Sequence, residues 1–199
     1  MTTIVVPANT SRTIIDHGEN HDITVNGKLL FVSVLTKDTN ATRTIRLEGK
    51  GSVYREFTVF VGDKSFDVTS NVVNNAEEST ACVDVRGVLT GNGKANIVGN
   101  MKIVRGACKS DSRLSQHVLL ASVDARANTL PNLEIDENDV SAGHASTVRP
   151  LNAEHVFYLT SRGLSEKEAR QLLIRSFLLL DELPEEIRKE VEVPDVLLA

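Results

Sequence analysis

The chain has 199 residues and a mass of 21.7 kDa, which fits one domain, or one domain with a small appendage. Hydrophobic residues make up 41% and charged residues 25%, and no stretch approaches the roughly 20 apolar residues of a membrane span or the pattern of a secretory signal. The net charge of -5 and a pI near 5.6 argue against a nucleic-acid-binding domain.

Two composition features narrow the class further. Two cysteines do not make a disulfide framework, so we expect free thiols in a reducing cytoplasm. Aromatic residues make up only 4%, with no tryptophan. Aliphatic side chains must therefore fill the core, which favours many short strands with thin interior layers.

Residues 1–150 are predicted to be β-structure, because apolar and polar residues alternate in short runs. Ile45 and Leu47 alternate with polar neighbours, and so do Val83 and Val85. Asn26–Gly27 is typical of a hairpin turn. Strands recur about every ten residues without helical patterns between them, which leaves a sandwich, a barrel or a β-solenoid. The scarcity of aromatics favours the stacked coils of a solenoid.

The pattern changes to helical after Pro150, so residues 151–199 form a separate helical segment. Residues 152–162 are predicted to form a helix with Asn152 as its N-cap and Gly163 ending it. Ser165 and Glu168 form a capping box at the start of a second helix. A third helix is expected to begin near Leu183, before a short apolar tail.

Three motifs then carry a resemblance to a known family. Residues 139–148, DVSAGHASTV, resemble the DVKCSHGATV-type segment of the SufB/SufD family of iron–sulfur cluster assembly subunits. Residues 157–164, FYLTSRGL, are similar to the family's FYLRSRGI, and residues 165–177 are similar to its helix of the type EEEARxLLIxxF. The resemblance covers residues from about 115 to 180, whereas residues 1–114 resemble the family only in general character.

The resemblance implies a right-handed parallel β-helix with a small C-terminal α-helical tail. Family members pair with each other through their β-helices, and their C-terminal helices dock SufC, an ABC-type ATPase. This chain is therefore expected to pair with itself or with a SufB/SufD paralogue and to be a scaffold, not an enzyme. No tightly bound cofactor is expected in the isolated chain, and the place for a transient Fe–S cluster is a subunit interface.

The chain departs from the family pattern at two cysteine positions. Ala142 stands where the motif has a cysteine two residues before its histidine. Ala125 takes the place of the SufB cysteine most tied to cluster assembly. From its length we also expect the chain to lack the family's usual N-terminal helical region and to have fewer coils. It is thus closer to a SufD-like subunit or to a minimal archaeal-type relative than to a full SufB.

His144 is the first candidate for a cluster site. It aligns with the motif histidine that the family uses at the subunit interface, and a neutral imidazole can ligate iron. The alternative is a turn histidine bonded to the backbone.

Cys82 and Cys108 are the other cluster-site candidates. Alternation places Cys82 outward, where a free thiol is more reactive than a buried one. Two thiolates cannot supply the four ligands of a cluster, so a second subunit, His144 or carboxylates would be needed. Simple packing is the commoner role of a lone cysteine.

Two further segments resemble metal-binding patterns only weakly, and each is predicted to be a loop without a metal. His17 and His21 have H-x-x-x-H spacing, but Gly18 and Asn20 argue against the helix that a zinc site would require. Residues 136–139 lack the spacing of a calcium loop. No phosphate-binding loop is present in the sequence either, so ATP hydrolysis would come from a partner.

The helical segment is the predicted docking surface, because it concentrates apolar and aromatic residues that a small tail cannot bury. The residues assigned to partner binding are Phe157, Tyr158, Arg162, Gly163, Leu172, Leu173 and Phe177.

Two alternative functions stay open. One is a structural homodimer that has lost cluster chemistry, which Ala125 and Ala142 motivate. The other is a carbohydrate-active β-helix enzyme, which would need a line of outward carboxylates or aromatics along one face.

Overall fold

The structure is a computed structural model that describes residues 1–178. Twelve strands precede two helices in this range. The strands are β1 (Thr2–Val6), β2 (Ser11–Asp16), β3 (His21–Val25), β4 (Lys28–Leu35), β5 (Thr39–Leu47), β6 (Val53–Gly62), β7 (Ser65–Asn74), β8 (Thr80–Leu89), β9 (Lys94–Ile103), β10 (Asp111–Leu120), β11 (Arg126–Ile135) and β12 (Ser141–Pro150). The helices are α1 (Ala153–Ser161) and α2 (Glu166–Phe177).

The strands divide into two parallel sheets of six. The odd-numbered strands form one sheet in the order β1-β3-β5-β7-β9-β11, here called the odd sheet, and the even-numbered strands form the even sheet, from β2 to β12. Each odd strand and the even strand after it make one coil, and each coil stacks on the one before. This arrangement confirms the predicted parallel β-helix with C-terminal helices.

The interior is filled by the inward residues of each strand, which are mainly aliphatic as the composition predicted. Ile45 and Val83 are 0% and 1% exposed. Gly87 shows how tightly the coils pack, because a Cβ there would lie 1.9 Å from Cζ of Phe60. Only glycine leaves room for this ring in the interior.

The hairpin expected at Asn26–Gly27 is wrong. These residues join β3 to β4, which belong to different sheets, so the turn is a corner of a coil. A Cβ on Gly27 would lie 2.4 Å from the carbonyl oxygens of Pro7 and Thr10. Glycine is required here because the preceding coil lies directly against the backbone.

The two predicted helices are confirmed with their caps. Asn152 accepts a hydrogen bond from the backbone N–H of Glu154, and Gly163 takes a φ of +99° just after α1. Ser165 and Glu168 form the reciprocal capping box of α2. The third helix predicted near Leu183 and the apolar tail after it lie outside the described residues.

Helix α2 packs on the outer face of the even sheet. Ile174 and Leu178 are fully buried there against outward valines, among them Val59 and Val61. Both faces of β6 are therefore buried. Phe60 lies inside the β-helix, and Val59 lies beneath α2. Neither helix of the described chain is long and apolar enough to cross a membrane.

Candidate functional site

One end of the β-helix leaves its interior face bare. Strands β11 and β12 form the last coil, and no strand within residues 1–178 pairs with their outer edges. Val148 is 39% exposed, whereas Val118, its partner one coil earlier, is 1% exposed. Ile135 is 46% exposed and its partner Ile103 is 1% exposed. We call this surface the open end, defined by Thr129, Ile135, His144, Ser146 and Val148.

His144 lies on the open end. It pairs in register with Leu114, a buried core residue, so it belongs to the inward row of β12. Because no coil covers that row among the described residues, His144 is exposed. Beside it, the Oγ of Ser146 lies 2.5 Å from Oγ1 of Thr129, which ties the two strands together across the interior. The imidazole is therefore accessible to a second chain that covers this end.

Cys82 lies away from His144, on the opposite face of the even sheet. It pairs in register with Arg55 of β6 and Arg113 of β10, and its side chain is only partly buried. Burial and the neighbouring Asp84 carboxylate raise the pKa of this thiol above its ordinary value. The thiolate is thus disfavoured, although the outward placement leaves the sulfur accessible.

Cys108 lies in the turn between β9 and β10, outside the strands that carry the other two candidates. Desolvation and the Glu137 carboxylate raise the pKa of its thiol as well. The structure does not bring His144, Cys82 and Cys108 together. Their role in cluster binding stays a prediction, and His144 alone stands at an exposed end of the β-helix.

The predicted docking residues divide between exposed and partly buried positions. Phe157, Tyr158 and Leu172 are 74%, 57% and 50% exposed. Arg162 and Gly163 are also exposed, with the Arg162 guanidinium 5.3 Å from the centre of the Tyr158 ring. In contrast, Leu173 and Phe177 are partly buried, and Phe177 packs against the outer face of the even sheet.

A groove of about 470 Å³ adjoins the exposed face of α1. It lies between the helices and the turn after β10, and its apolar lining includes Leu151, Val156, Phe157 and Val123. Val123 is 91% exposed. Phe157 is both exposed and part of the groove lining, so the groove opens beside an exposed aromatic residue of α1.

The interior of the β-helix holds a charged cluster that was not predicted from the sequence. Arg43 is 0% exposed and donates hydrogen bonds to Glu56 at 2.7 Å and to Asp16 at 3.1 Å. Tyr54 donates to the second oxygen of Glu56 at 2.8 Å. The alternation in β5 could have indicated it, because Arg43 is two residues from Ile45 and therefore shares its inward face.

The cluster strongly favours the ionised form of Asp16. Burial alone would raise the pKa of this carboxyl, but the hydrogen bond with His21 and the charge of Arg43 outweigh it and lower the pKa to about 2. Burial and the Glu56 carboxylate raise the pKa of Tyr54 well above its ordinary value, so the phenol stays neutral and donates.

The H-x-x-x-H pattern lies in a loop over residues 17–20, as predicted, and His21 is the first residue of β3. It is 4% exposed in β3, with Nε2 2.9 Å from Asp16 Oδ1. Asp16, Glu19 and His21 offer ligand atoms close enough together for a metal ion. Both oxygens of Asp16 are already occupied, since Ser33 and Arg43 also donate to it. The group is better explained as part of the interior ion network.

Comparison with known proteins identifies the family. Residues 8–177 match the family model described as SUF system FeS cluster assembly, SufBD core domain. The chain is 33% identical over 159 residues to the iron–sulfur cluster assembly protein SufD of Bacillus subtilis, across 77% of this chain and 36% of that protein. It is 34% identical over 103 residues to SufD of Escherichia coli, across 52% of this chain and 24% of that protein.

A third relative widens the range of organisms. The chain is 29% identical over 147 residues to an iron–sulfur cluster assembly SufBD family protein of Synechocystis, across 73% of this chain and 32% of that protein. The matched region thus spans about a third or less of the length of these relatives. The family match covers most of the chain, and the chain belongs to the SufBD core family of SUF system iron–sulfur cluster assembly proteins.

Proposed function

We propose that the chain is a scaffold subunit, not an enzyme, and that it holds a nascent Fe–S cluster at the interface with a second β-helix chain. The observation that carries this proposal is the position of His144 on the bare interior face of the last coil. The cluster is cargo here, and this chain supplies one imidazole nitrogen to it. The remaining ligands come from the partner, because Cys82 and Cys108 lie elsewhere on the chain.

The partner at the open end is a second SufB/SufD-type β-helix, either another copy or a paralogue. Within residues 1–178 the outer edges of β11 and β12 have no neighbouring strand, and such edges offer backbone groups that another strand can satisfy. The half-exposed Val148 and Ile135 would be buried by such a pairing. Backbone pairing and apolar burial therefore support the same occupant.

Replacement of His144 tests the cluster proposal. The His144→Ala chain, co-expressed with its SUF partners and purified without oxygen, should hold less iron and acid-labile sulfide than the wild-type complex. His155→Ala is the matched control, since His155 is an exposed histidine on α1. Equal cluster content in His144→Ala and wild type would contradict the site and favour a structural pair without cluster chemistry.

We also propose that the exposed face of the helices docks an ABC-type ATPase of the SufC kind. Its support is the groove lined by Phe157, together with the exposed Tyr158 on α1 and Leu172 on α2. A water-exposed surface of this kind is typical of a partner-binding site. ATP hydrolysis would be supplied by that partner.

Point variants test docking better than deletion of the segment, because α2 covers apolar residues of the even sheet. Phe157→Asp and Tyr158→Asp should abolish capture of the ATPase in a pull-down. Val5→Asp is the control, as Val5 is 54% exposed at the opposite end of the β-helix. Retained capture by both helix variants would overturn the docking proposal.

A further inference from the structure

The outward side chains of β11 form a row that is complementary to itself about Leu130. Even-numbered residues of this strand point outward, and they are Arg126, Asn128, Leu130, Asn132 and Glu134. Leu130 stands at the centre and is 47% exposed. An amide lies on each side of it, and the two ends of the row carry opposite charges. An antiparallel copy centred on Leu130 therefore places Arg126 opposite Glu134 and Asn128 opposite Asn132.

The backbone of β11 also suits antiparallel pairing at its outer edge, which has no neighbouring strand within residues 1–178. The N–H groups of Arg126 and Asp136 donate to the carbonyls of Gly93 and Ile103 in the preceding coil. Even-numbered N–H groups therefore face β9, and odd-numbered ones face the outer edge. Even-numbered residues of two antiparallel copies then form non-hydrogen-bonded pairs, the type that brings facing side chains closest together.

Pro131 leaves the choice of alignment to the side chains. It is odd-numbered, so the N–H that proline lacks would have faced the outer edge, where a strand tolerates proline. Any antiparallel alignment that pairs an odd-numbered residue with Pro131 loses one backbone hydrogen bond. Backbone bonds thus do not select a single alignment, whereas the pairs made by Arg126, Asn128 and Leu130 do.

The two charged groups of the row can each meet a partner. Arg126 donates through Nη1 to the carbonyls of Val123 and Ala125. Glu134 accepts from Lys102 through Oε1. These contacts use one terminal atom of each group, so Nη2 of Arg126 and Oε2 of Glu134 are left for a partner. Both side chains are exposed, as contact with a second chain requires.

We propose that the isolated chain pairs with a second copy of itself through antiparallel β11 strands centred on Leu130. This inference rests on the proposed role of the open end as the place where β-helix chains meet. It selects a copy over a paralogue, because the outward row of β11 is complementary to itself.

The first coil of another copy fits the outer edge of β11 less well. Its strand β1 has only five residues, and the outward residues Thr3 and Val5 are uncharged. Head-to-tail stacking of two chains would therefore leave Arg126 and Glu134 without opposite charges. The charges of β11 thus favour a two-fold pair over a filament.

The outer edge of β12 is compatible with the same two-fold pair. A rotation that pairs β11 with its copy also brings β12 to its copy, since the two strands form the same last coil. The outward row of β12 has small residues in its middle, Gly143, Ala145 and Thr147, and one charged residue, Arg149, near its end. Like charges therefore do not meet in the middle of this edge.

Charge reversal tests the pairing in the isolated full-length chain. Arg126→Glu and Glu134→Arg should each weaken the dimer about tenfold in analytical ultracentrifugation, because each sets like charges opposite each other twice. An equal mixture of the two variants should form mixed dimers as tight as the wild type, since every facing pair is then opposite in charge. Lys28→Glu, an exposed charge reversal on β4, is the control. Unchanged dimers in both variants, or a mixture no tighter than either variant alone, would overturn this arrangement.

A disulfide locates the two-fold axis. Facing Cα atoms of a non-hydrogen-bonded pair are about 4.5 Å apart, which a disulfide can span. Leu130→Cys should therefore give a covalent dimer on oxidation, whereas Asn128→Cys should not, because Asn128 faces Asn132 of the copy. The wild type controls for Cys82 and Cys108. A Leu130→Cys chain that stays uncrosslinked would overturn the axis. A wild-type chain that is monomeric alone but pairs with a SufB/SufD paralogue would overturn the second copy and leave the proposed function intact.

Discussion

Arg43 is a charged side chain that is fully buried inside the β-helix. Burying a guanidinium is unfavourable unless carboxylates and further hydrogen bonds compensate for lost water. Glu56 and Asp16 provide the charge, and the hydroxyl groups of Ser33 and Thr58 accept two more hydrogen bonds. The cluster joins β2, β4, β5 and β6, so it fixes the mutual register of the first three coils.

Acid should weaken the fold through Asp16. The pKa of Asp16 is lowered from 3.8 to about 2, so its stabilising effect is complete above the ordinary pKa and is lost as the pH falls from there toward 2. A shift of this size corresponds to about 2 kcal/mol of unfolding free energy. Urea denaturation at a series of pH values below 6 should show the unfolding free energy falling as the pH drops from the ordinary pKa toward 2. A flat profile between pH 4 and 2 would contradict it.

Asp16→Asn should destabilise the chain by about 3 kcal/mol at pH 7, because Arg43 and His21 lose a buried charged partner. The variant should also lose much of the acid dependence below pH 4. Asp124→Asn, at an exposed turn, serves as the control. Equal midpoints for both variants in urea would show that the cluster is not stabilising.

Cys82 should react slowly with alkylating agents at neutral pH. Burial and Asp84 raise the pKa of its thiol, and the thiolate is the reactive form. The alkylation rate, followed by mass spectrometry against pH, should rise with a midpoint above that of a free thiol. A midpoint of the alkylation rate near neutral pH would instead show that Cys82 is an activated thiol, which would favour it as a cluster ligand.

At the scale of elements, the coils depend on a match between Gly87 in β8 and Phe60 in β6. Gly87→Ala should destabilise by about 2 kcal/mol, because its Cβ would overlap the Phe60 ring. Adding Phe60→Leu should recover part of the loss, which thermal unfolding of the single and double variants would measure. Purely additive effects would show that the two residues are not in steric conflict.

Helix α2 is stabilised at its N-terminus by its capping box. Ser165→Ala should cost about 1 kcal/mol, since Ser165 accepts from the N–H of Glu168 and Glu168 accepts from the N–H of Ser165. Ser176→Ala, an exposed serine in the same helix, is the control. Circular dichroism during thermal unfolding should separate the two. Equal transitions would argue against the cap.

The helices and the strands could be predicted from local patterns, because caps and alternation are properties of neighbouring residues. The parallel β-helix was implied by the resemblance of the motifs after residue 115, since alternation alone left a sandwich or a barrel open. The inward position of Arg43 was readable from its parity with Ile45, but its partners come from other coils and only the stacking brings them together. The hairpin expected at Asn26–Gly27 failed for the same reason. Gly27 is required by close contact with the backbone of the previous coil, which a rule based on neighbouring residues does not include.

At the scale of the whole molecule, residues 1–178 form a β-helix with one outer face covered by helices and one end that no described residue covers. The helices cover the outer face of the even sheet, while the last coil leaves His144 and Val148 accessible. His144 was found from its motif, but its exposure depends on its position in the last coil. The proposal that follows is that the open end, and not the flank, meets the second β-helix.

The most direct test of this account measures pairing and iron in one anaerobic co-purification of the chain with its SUF partners. Val148→Asp should separate the β-helix chains in size-exclusion chromatography with light scattering and lose the bound iron, because it places a charge on the open end. Val5→Asp, at the other end, should keep both pairing and iron. A Val148→Asp complex that pairs and holds iron like the wild type would contradict the open end as the assembly site.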